Sequence, residues 1–151
     1  MFTRILVPID FSAPSDAALV YAKGIAAHFG ARLHVVHVTD SPSPALAPAL
    51  DADAPQASTE LLHGPCAKTI VDAARRHHCD LIVMGTHGRT GMTHALMGSV
   101  AEDVVRHAEC PVLTVHGPRL DAMEAREPVS MSRQMLLGFA ALRLAVGGTE
   151  S

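Results

Sequence analysis

RILVPIDFSAPSDAALVYAKGIAAHFGARLHVVHV, residues 4–38, carries three structural elements in succession. Arg4–Ile9 is a continuous apolar run, short and without polar alternation, the pattern of a strand buried on both faces. Asp10, Phe11 and Ser12 then turn the chain, with Ser12 placed as a helix N-cap and Pro14 suited to the first turn. Ala18, Leu19, Ala22, Ile25, Ala26 and Phe29 recur at helical spacing, and Gly30 supplies the stop. Leu33–Val38 is a second apolar run. Strand, helix, strand within so short a span is a βαβ unit, which implies a parallel sheet with right-handed crossovers.

The same rhythm continues downstream. Thr59–His63 is a weaker strand candidate. Gly64-Pro65 opens a helix through about His78, with Cys66, Ile70, Ala73 and Ala74 as its inner face. Leu81–Met84 (LIVM) is the clearest buried strand, a glycine-rich stretch covers Gly85–Ser99, a helix runs on to about His107, and Pro111–His116 (PVLTVH) is a last strand, expected at the sheet edge. The alternation defines a doubly wound α/β fold. Two segments depart from it. Thr39–Ala57 is proline-rich, lacks a helical stripe and reads as an irregular loop. Beyond Gly117, the polar start gives way to Met131, Met135, Leu136, Phe139, Leu142 and Val146, one apolar stripe of a helix over about 130–146. The expected organisation is one domain, 1–117, and a C-terminal extension, 118–151.

Composition narrows the function. Twelve Lys and Arg against 15 Asp and Glu give a formal charge of −3, so no basic excess exists to neutralise a nucleic-acid backbone. Aromatic residues make up 3% and Trp is absent, which leaves little for base stacking. Cys66, Cys79 and Cys110 are odd in number and widely spaced, which suits a reducing compartment and buried small side chains rather than a disulfide scaffold. No apolar run approaches the roughly 20 residues of a membrane span. A cytoplasmic protein without a membrane partner is the expectation.

The chemistry concentrates in GTHGRTGMTHALMGS, residues 85–99. A glycine-rich turn after a buried strand, leading into a helix N-terminus at Gly98-Ser99, points backbone amides and a helix dipole at one place, an arrangement suited to an anion. Arg89 offers a mobile cation there, and Ser99 either caps the helix or bonds a phosphate. The spacing fits neither a dinucleotide G-x-G-x-x-G nor a Walker loop, which needs Gly-Lys before Ser or Thr. On these grounds alone, a phosphate cradle and a purely structural turn both stand. The histidines show no zinc pattern. His34 and His37, three apart on a strand, face opposite ways. His87 and His94 flank the glycine loop. No G-x-S-x-G elbow supports a hydrolase triad.

Gly85-x-x-Gly88, nine residues, then Gly98-Ser99 resembles the nucleotide motif of the universal stress protein family. RILVPIDFS, DLIVMGTHGRTG and LMGSVAEDVVRHAECPVLTV resemble that family too, so the likeness covers about residues 2–38 and 59–116. The resemblance implies an open five-stranded parallel sheet in the order 3-2-1-4-5, helices on both faces, and ATP as ligand, with ADP or AMP as alternatives. It places Asp10 at the ribose and phosphates and Pro8, Ile9 and Val38 at the adenosine. Gly85, Gly88, Gly98, Ser99 and Val100 would form the phosphate cradle, with Met84 and Arg89 beside it. Asp10 has a second reading, as a brace for the first helix cap with Ser12. Any Mg²⁺ would bridge Asp10 and the phosphates rather than occupy a site built by the protein alone. The resemblance also implies a homodimer through Pro111–His116. It departs at the loop 39–57, where a second crossover helix is missing from the pattern, and at the extra tail helix. The expected function is a cytoplasmic ATP-binding stress-response or regulatory module that works through nucleotide-dependent conformation or partner binding. A slow ATPase and a nucleotide-free interaction dimer are the alternatives.

Overall fold

A computed structural model describes residues 1–40, 57–87 and 97–117. Five strands and three helices alternate: β1 (Arg4–Pro8), α1 (Ala13–Phe29), β2 (Arg32–Thr39), β3 (Ala57–His63), α2 (Cys66–Arg76), β4 (Leu81–Gly85), α3 (Ser99–His107) and β5 (Val112–Val115). The sheet order is β3-β2-β1-β4-β5 and every pairing is parallel. This is the open doubly wound sheet that the sequence implies, with β5 at one edge.

Strand periodicity divides the core into two layers. Ile5, Val7, Leu33, Val35, Leu81 and Val83 face α1, where Ala18, Leu19, Ala22 and Ala26 meet them. Leu6, Val36, Leu62, Ile82 and Met84 point the other way, against Ile70, Val71, Ala73 and Ala74 of α2 and Ala101 and Val104 of α3. Two apolar faces per strand explain why β1 and β4 show no polar alternation. His34 and His37 divide as expected. His34 Nδ1 meets the Ser58 hydroxyl at 2.7 Å, and the ring stacks on His77 with centroids 4.7 Å apart. His37 is buried, and its Nδ1–H donates to the Ile9 carbonyl at 2.7 Å.

The helix boundaries follow local chemistry. Ser12 caps α1 by accepting from the Ser15 amide at 3.3 Å, and Gly30 ends it in the left-handed conformation, φ 68°. At the start of β1, Asp80 accepts from the Thr3 amide and hydroxyl, each at 2.7 Å, and from the Arg4 amide at 3.1 Å. Desolvation opposes ionisation of Asp80, but these bonds prevail and hold its carboxyl below the usual range.

Several sequence boundaries move by a residue or two. β3 begins at Ala57 rather than Thr59, because the ladder from β2 extends to the Leu33–Ala57 pair. α2 ends at Arg76 rather than near His78, since His78 adopts φ 51°, which a right-handed helix cannot continue. Val71 joins the inner face of α2, while Cys66 at its first position is half-buried. Of the three cysteines only Cys79 is buried; Cys110 is half-buried like Cys66. Gly88, Arg89, His94, the loop interior at 41–56 and the tail helix at 130–146 lie outside the described residues. Among the described residues, no helix is long and apolar enough to cross a membrane.

Candidate functional site

β1 and β4 separate at their carboxyl ends, and the separation makes the site. Their ladder pairs Ile5 with Leu81 and Leu6 with Ile82 and goes no further. Beyond it the Ile9 amide turns to β2 and donates to the Val36 carbonyl at 2.8 Å. By strand alternation the nitrogen of Pro8 faces the β4 side, where no ladder continues. A residue without an N–H therefore costs nothing there. β1 leads through α1 to β2 on one side, and β4 leads through α3 to β5 on the other. The split is thus the topological switch point, where open α/β sheets bind ligands.

Pro8, Ile9, Asp10, Val38, Met84, Gly85, Gly98, Ser99 and Val100 all line this one cleft. The structure brings these residues together from four separate stretches of sequence. Ser15, Cys66, Ile70, Thr86, His87 and Ala101 complete the described lining. Ile70 and Ala101 are core residues that reach its floor. Thr86 had no sequence signal beyond its place after a buried strand.

The turn after β1 is tightly determined. Asp10 Oδ1 accepts from the Ser12 amide at 3.1 Å and from the Ser12 hydroxyl at 2.5 Å. The Asp10 amide in turn donates to the Ser15 hydroxyl at 3.4 Å. Phe11 between them has φ 63°, uncommon for a bulky side chain, and its ring packs on His37 at 4.9 Å. Asp10 therefore braces the helix cap, yet still lines the cleft; Oδ2 takes neither bond from Ser12. One such carboxylate oxygen fits a Mg²⁺ ion that receives its other ligands from phosphates and water. Among the described residues no cluster of three or more His, Cys, Asp or Glu could hold a metal alone.

The two described glycines of the motif have different jobs. A Cβ on Gly85 would stand 2.8 Å from the Pro14 Cβ and 2.9 Å from the Ser15 nitrogen. Gly85 is thus required by packing against the start of α1, a role the spacing did not show. A Cβ on Gly98 would stand 3.0 Å from the Thr86 carbonyl oxygen. That oxygen accepts from the Gly98 amide at 2.6 Å, which fixes the start of α3 against the end of β4. Gly98 is the N-cap of α3 and Ser99 its first helical residue; no side chain caps the helix, so Ser99 does not have the capping role. The first amides of α3 lie at the cleft with the positive end of the helix dipole.

Across the cleft, burial pushes the Cys66 thiol up, reinforced by the carboxylates of Asp10 and Asp40. Among the described lining residues Asp10 is the one carboxylate, and none is Lys or Arg.

Open parallel sheet, split strands and a glycine-led helix start define an α/β protein with a cleft at its switch point. The universal stress protein family profile matches residues 1–62 and 46–116, and the chain belongs to that family. It is 36% identical to universal stress protein MJ0531 of Methanocaldococcus jannaschii, across 79% of this chain and 85% of that one. Among solved structures it is similar to universal stress protein UspA from Lactobacillus plantarum, with 33% identity and a TM-score of 0.64. That match covers 75% of this chain and 97% of the other. It is also similar to a universal stress protein from Archaeoglobus fulgidus in complex with dAMP. There the identity is 25% and the TM-score 0.57, over 75% of this chain and 97% of that one.

Proposed function

We propose that this chain is an adenine-nucleotide-binding regulatory module, with ATP as its ligand and ADP or AMP as alternatives. The observation that carries the reading is the cleft itself. Residues of the nucleotide motif, the end of β1 and the end of β2 all border it. In this reading Pro8, Ile9, Val38 and Met84 bound the adenosine. Asp10 stands at the ribose and phosphates and supplies one oxygen to Mg²⁺. The amides at Gly98, Ser99 and Val100 meet the phosphates. Gly88 and Arg89 belong to the same cradle by motif. The dAMP complex of the Archaeoglobus fulgidus relative supports an adenine nucleotide as the ligand class.

The module acts through conformation or partner binding, in the cytoplasm, and pairs with a second copy along the exposed edge of β5. Nucleotide regulates it to the extent that two states differ in nucleotide affinity. A calorimetric titration of Mg²⁺-ATP into desalted protein tests the site, with Gly98→Val alongside. Saturable binding in the micromolar range, lost in the variant, is the expected result; no binding to the unaltered protein overturns the reading. Sedimentation at tens of micromolar tests the dimer, and a monomer there overturns that part.

A further inference from the structure

At the end of the sheet opposite the cleft, two cysteines meet where β4 and β5 begin. Cys79 is buried and Cys110 half-buried, and both thiols are free. Cys79 belongs to the apolar layer beneath α2 and α3 and Cys110 packs against it, so both lie on one face of the sheet. Local backbone sets their approach. α2 gives way to a left-handed residue at His78, φ 51°, and the Cys79 amide donates back to the Ala74 carbonyl at 2.8 Å. On the neighbouring strand the Pro111 carbonyl accepts from the Ile82 amide at 3.0 Å, and the ladder pairs Ile82 with Val112. Two residues earlier, that register sets Asp80 beside Cys110, and Cys79 stands one residue out of step. Strands about 4.8 Å apart with an offset of about 3.3 Å put such Cα atoms about 6 Å apart. A disulfide spans about 4.4–6.8 Å between Cα atoms. Cys79 and Cys110 also line one cavity, together with Arg75, His78 and Glu109.

We propose that Cys79 and Cys110 form a reversible dithiol–disulfide pair, oxidised by small disulfides of the glutathione class. The proposal stands apart from the nucleotide reading. A transient, redox-responsive bond is the usual kind of disulfide in a reducing compartment.

The step is thiol–disulfide exchange. Cys110, the less buried sulfur, attacks one sulfur of the dissolved disulfide as a thiolate. The S–S bond of the oxidant breaks, Cys110 carries a mixed disulfide, and one small thiol leaves. The Cys79 thiolate then attacks the Cys110 sulfur, the mixed bond breaks, and the second small thiol leaves. Two electrons pass from the cysteine pair to the oxidant, and the two cysteine protons end on the released thiols. Excess small thiol reverses both steps.

The surroundings make the exchange slow. Burial pushes the Cys79 thiol up to about 12, reinforced by Cys110 and Asp80 and opposed by Arg4. Burial raises the Cys110 thiol as well, against a backbone hydrogen bond and with Asp80 and Glu109 adding to the rise. Arg75 at the cavity is held by Glu109 at 2.8 Å. Thiolates are therefore scarce at neutral pH, and oxidation should speed up about tenfold per pH unit through the weakly alkaline range. Cys66 is out of reach: it opens α2 and Cys79 follows the end of α2, about 15 Å of helix away. The cross-link closes the loop 79–110, which holds the motif glycines and all of α3.

The test treats the reduced full chain with millimolar oxidised glutathione at about pH 8.5, where thiolates are accessible. Thiol counting, intact mass and mapping of the cysteine peptides read the outcome. The expected result is loss of two of the three thiols, a mass lower by two hydrogens and a Cys79–Cys110 peptide. The melting temperature should rise by at least about 5 °C, because the closed loop constrains the unfolded chain. Dithiothreitol should reverse all of these changes. Cys66→Ser should oxidise in the same way, and Cys110→Ser should lose both the cross-link and the gain in melting temperature. Three thiols still free after a day, a glutathione that persists on Cys110, or a linkage through Cys66 or between chains each overturns the proposal. None of these outcomes bears on nucleotide binding, which the ATP titration decides separately.

Discussion

Gly85 abuts Pro14 so closely that a side chain at 85 would displace backbone: its Cβ would stand 2.8 Å from the Pro14 carbonyl carbon. The first glycine of the motif thus serves the join between β4 and α1. Gly85→Ala should destabilise the protein by about 1–3 kcal/mol, the usual cost of overpacking. Urea denaturation checks this, and an unchanged midpoint would show that the join yields easily.

Gly98 gives the contrasting case. Its φ of −74° is open to any residue, and the one tight contact of an added Cβ would be the Thr86 carbonyl oxygen at 3.0 Å, with the His87 Cα at an ordinary 3.5 Å. Gly98→Ala should therefore fold with a loss below about 1.5 kcal/mol, at the low end of packing defects. It should weaken ATP by at least about tenfold, equivalent to about 1.4 kcal/mol. Calorimetry with a parallel melting curve separates the two effects.

Asp80 ties the start of β1 to the start of β4 through three hydrogen bonds. Asp80→Ala should cost about 1.5–3 kcal/mol at neutral pH, the range for bonds to a charged group. Because its folded-state pKa is lowered, its contribution is present above the unfolded carboxylate range, near pH 4, and fades as pH falls through the folded value. Stability curves of wild type and variant should converge in strong acid. A constant gap down to about pH 2 would contradict the assignment.

His34 works in the opposite sense on acidification. Burial lowers its pKa, helped by His77, Arg4 and Arg32, against the pull of Glu60. The unfolded chain then binds more protons than the folded one at and below the ordinary histidine range. Stability should be full above about pH 6.5 and decline as pH falls through that value. His34→Gln should reduce the slope between about pH 7 and pH 5, measured by denaturant midpoints.

Ile82 is fully buried in the layer beneath α2 and α3, where Leu6, Met84 and Val104 also pack. Ile82→Ala should cost about 2–5 kcal/mol, as large-to-small core changes do. A smaller loss, read from urea midpoints, would show that α2 and α3 settle into the gap.

Most of this fold is written in local pattern. Arg4–Ile9 and Leu81–Met84 announce buried strands because both faces are apolar, and Ser12 and Gly30 mark the ends of α1 by their own chemistry. β3 reads weakly because Ser58 and Glu60 interrupt its apolar residues; its position comes from pairing with β2, a long-range fact. The cleft shows the same division. Pro8, Asp10 and Gly98 were legible as candidates, and so was Gly85 as a cleft residue, but its close packing on Pro14 was not, because that contact joins residues 71 positions apart. Thr86 escaped notice because a threonine after a strand has no local mark. Its importance arises only where His87, Val115, His116 and Gly98 converge on it.

The turn at Phe11 has a mechanical consequence. A glycine would take the left-handed backbone there at less cost, but it would also let the turn unwind. With Phe11, the ring is wedged on His37, whose proton is spoken for by Ile9, so the turn behaves as a latch rather than a hinge. The carboxylate of Asp10 is set in its orientation before anything arrives in the cleft. Whatever responds to a ligand must then lie on the opposite wall, where β4 gives way to α3.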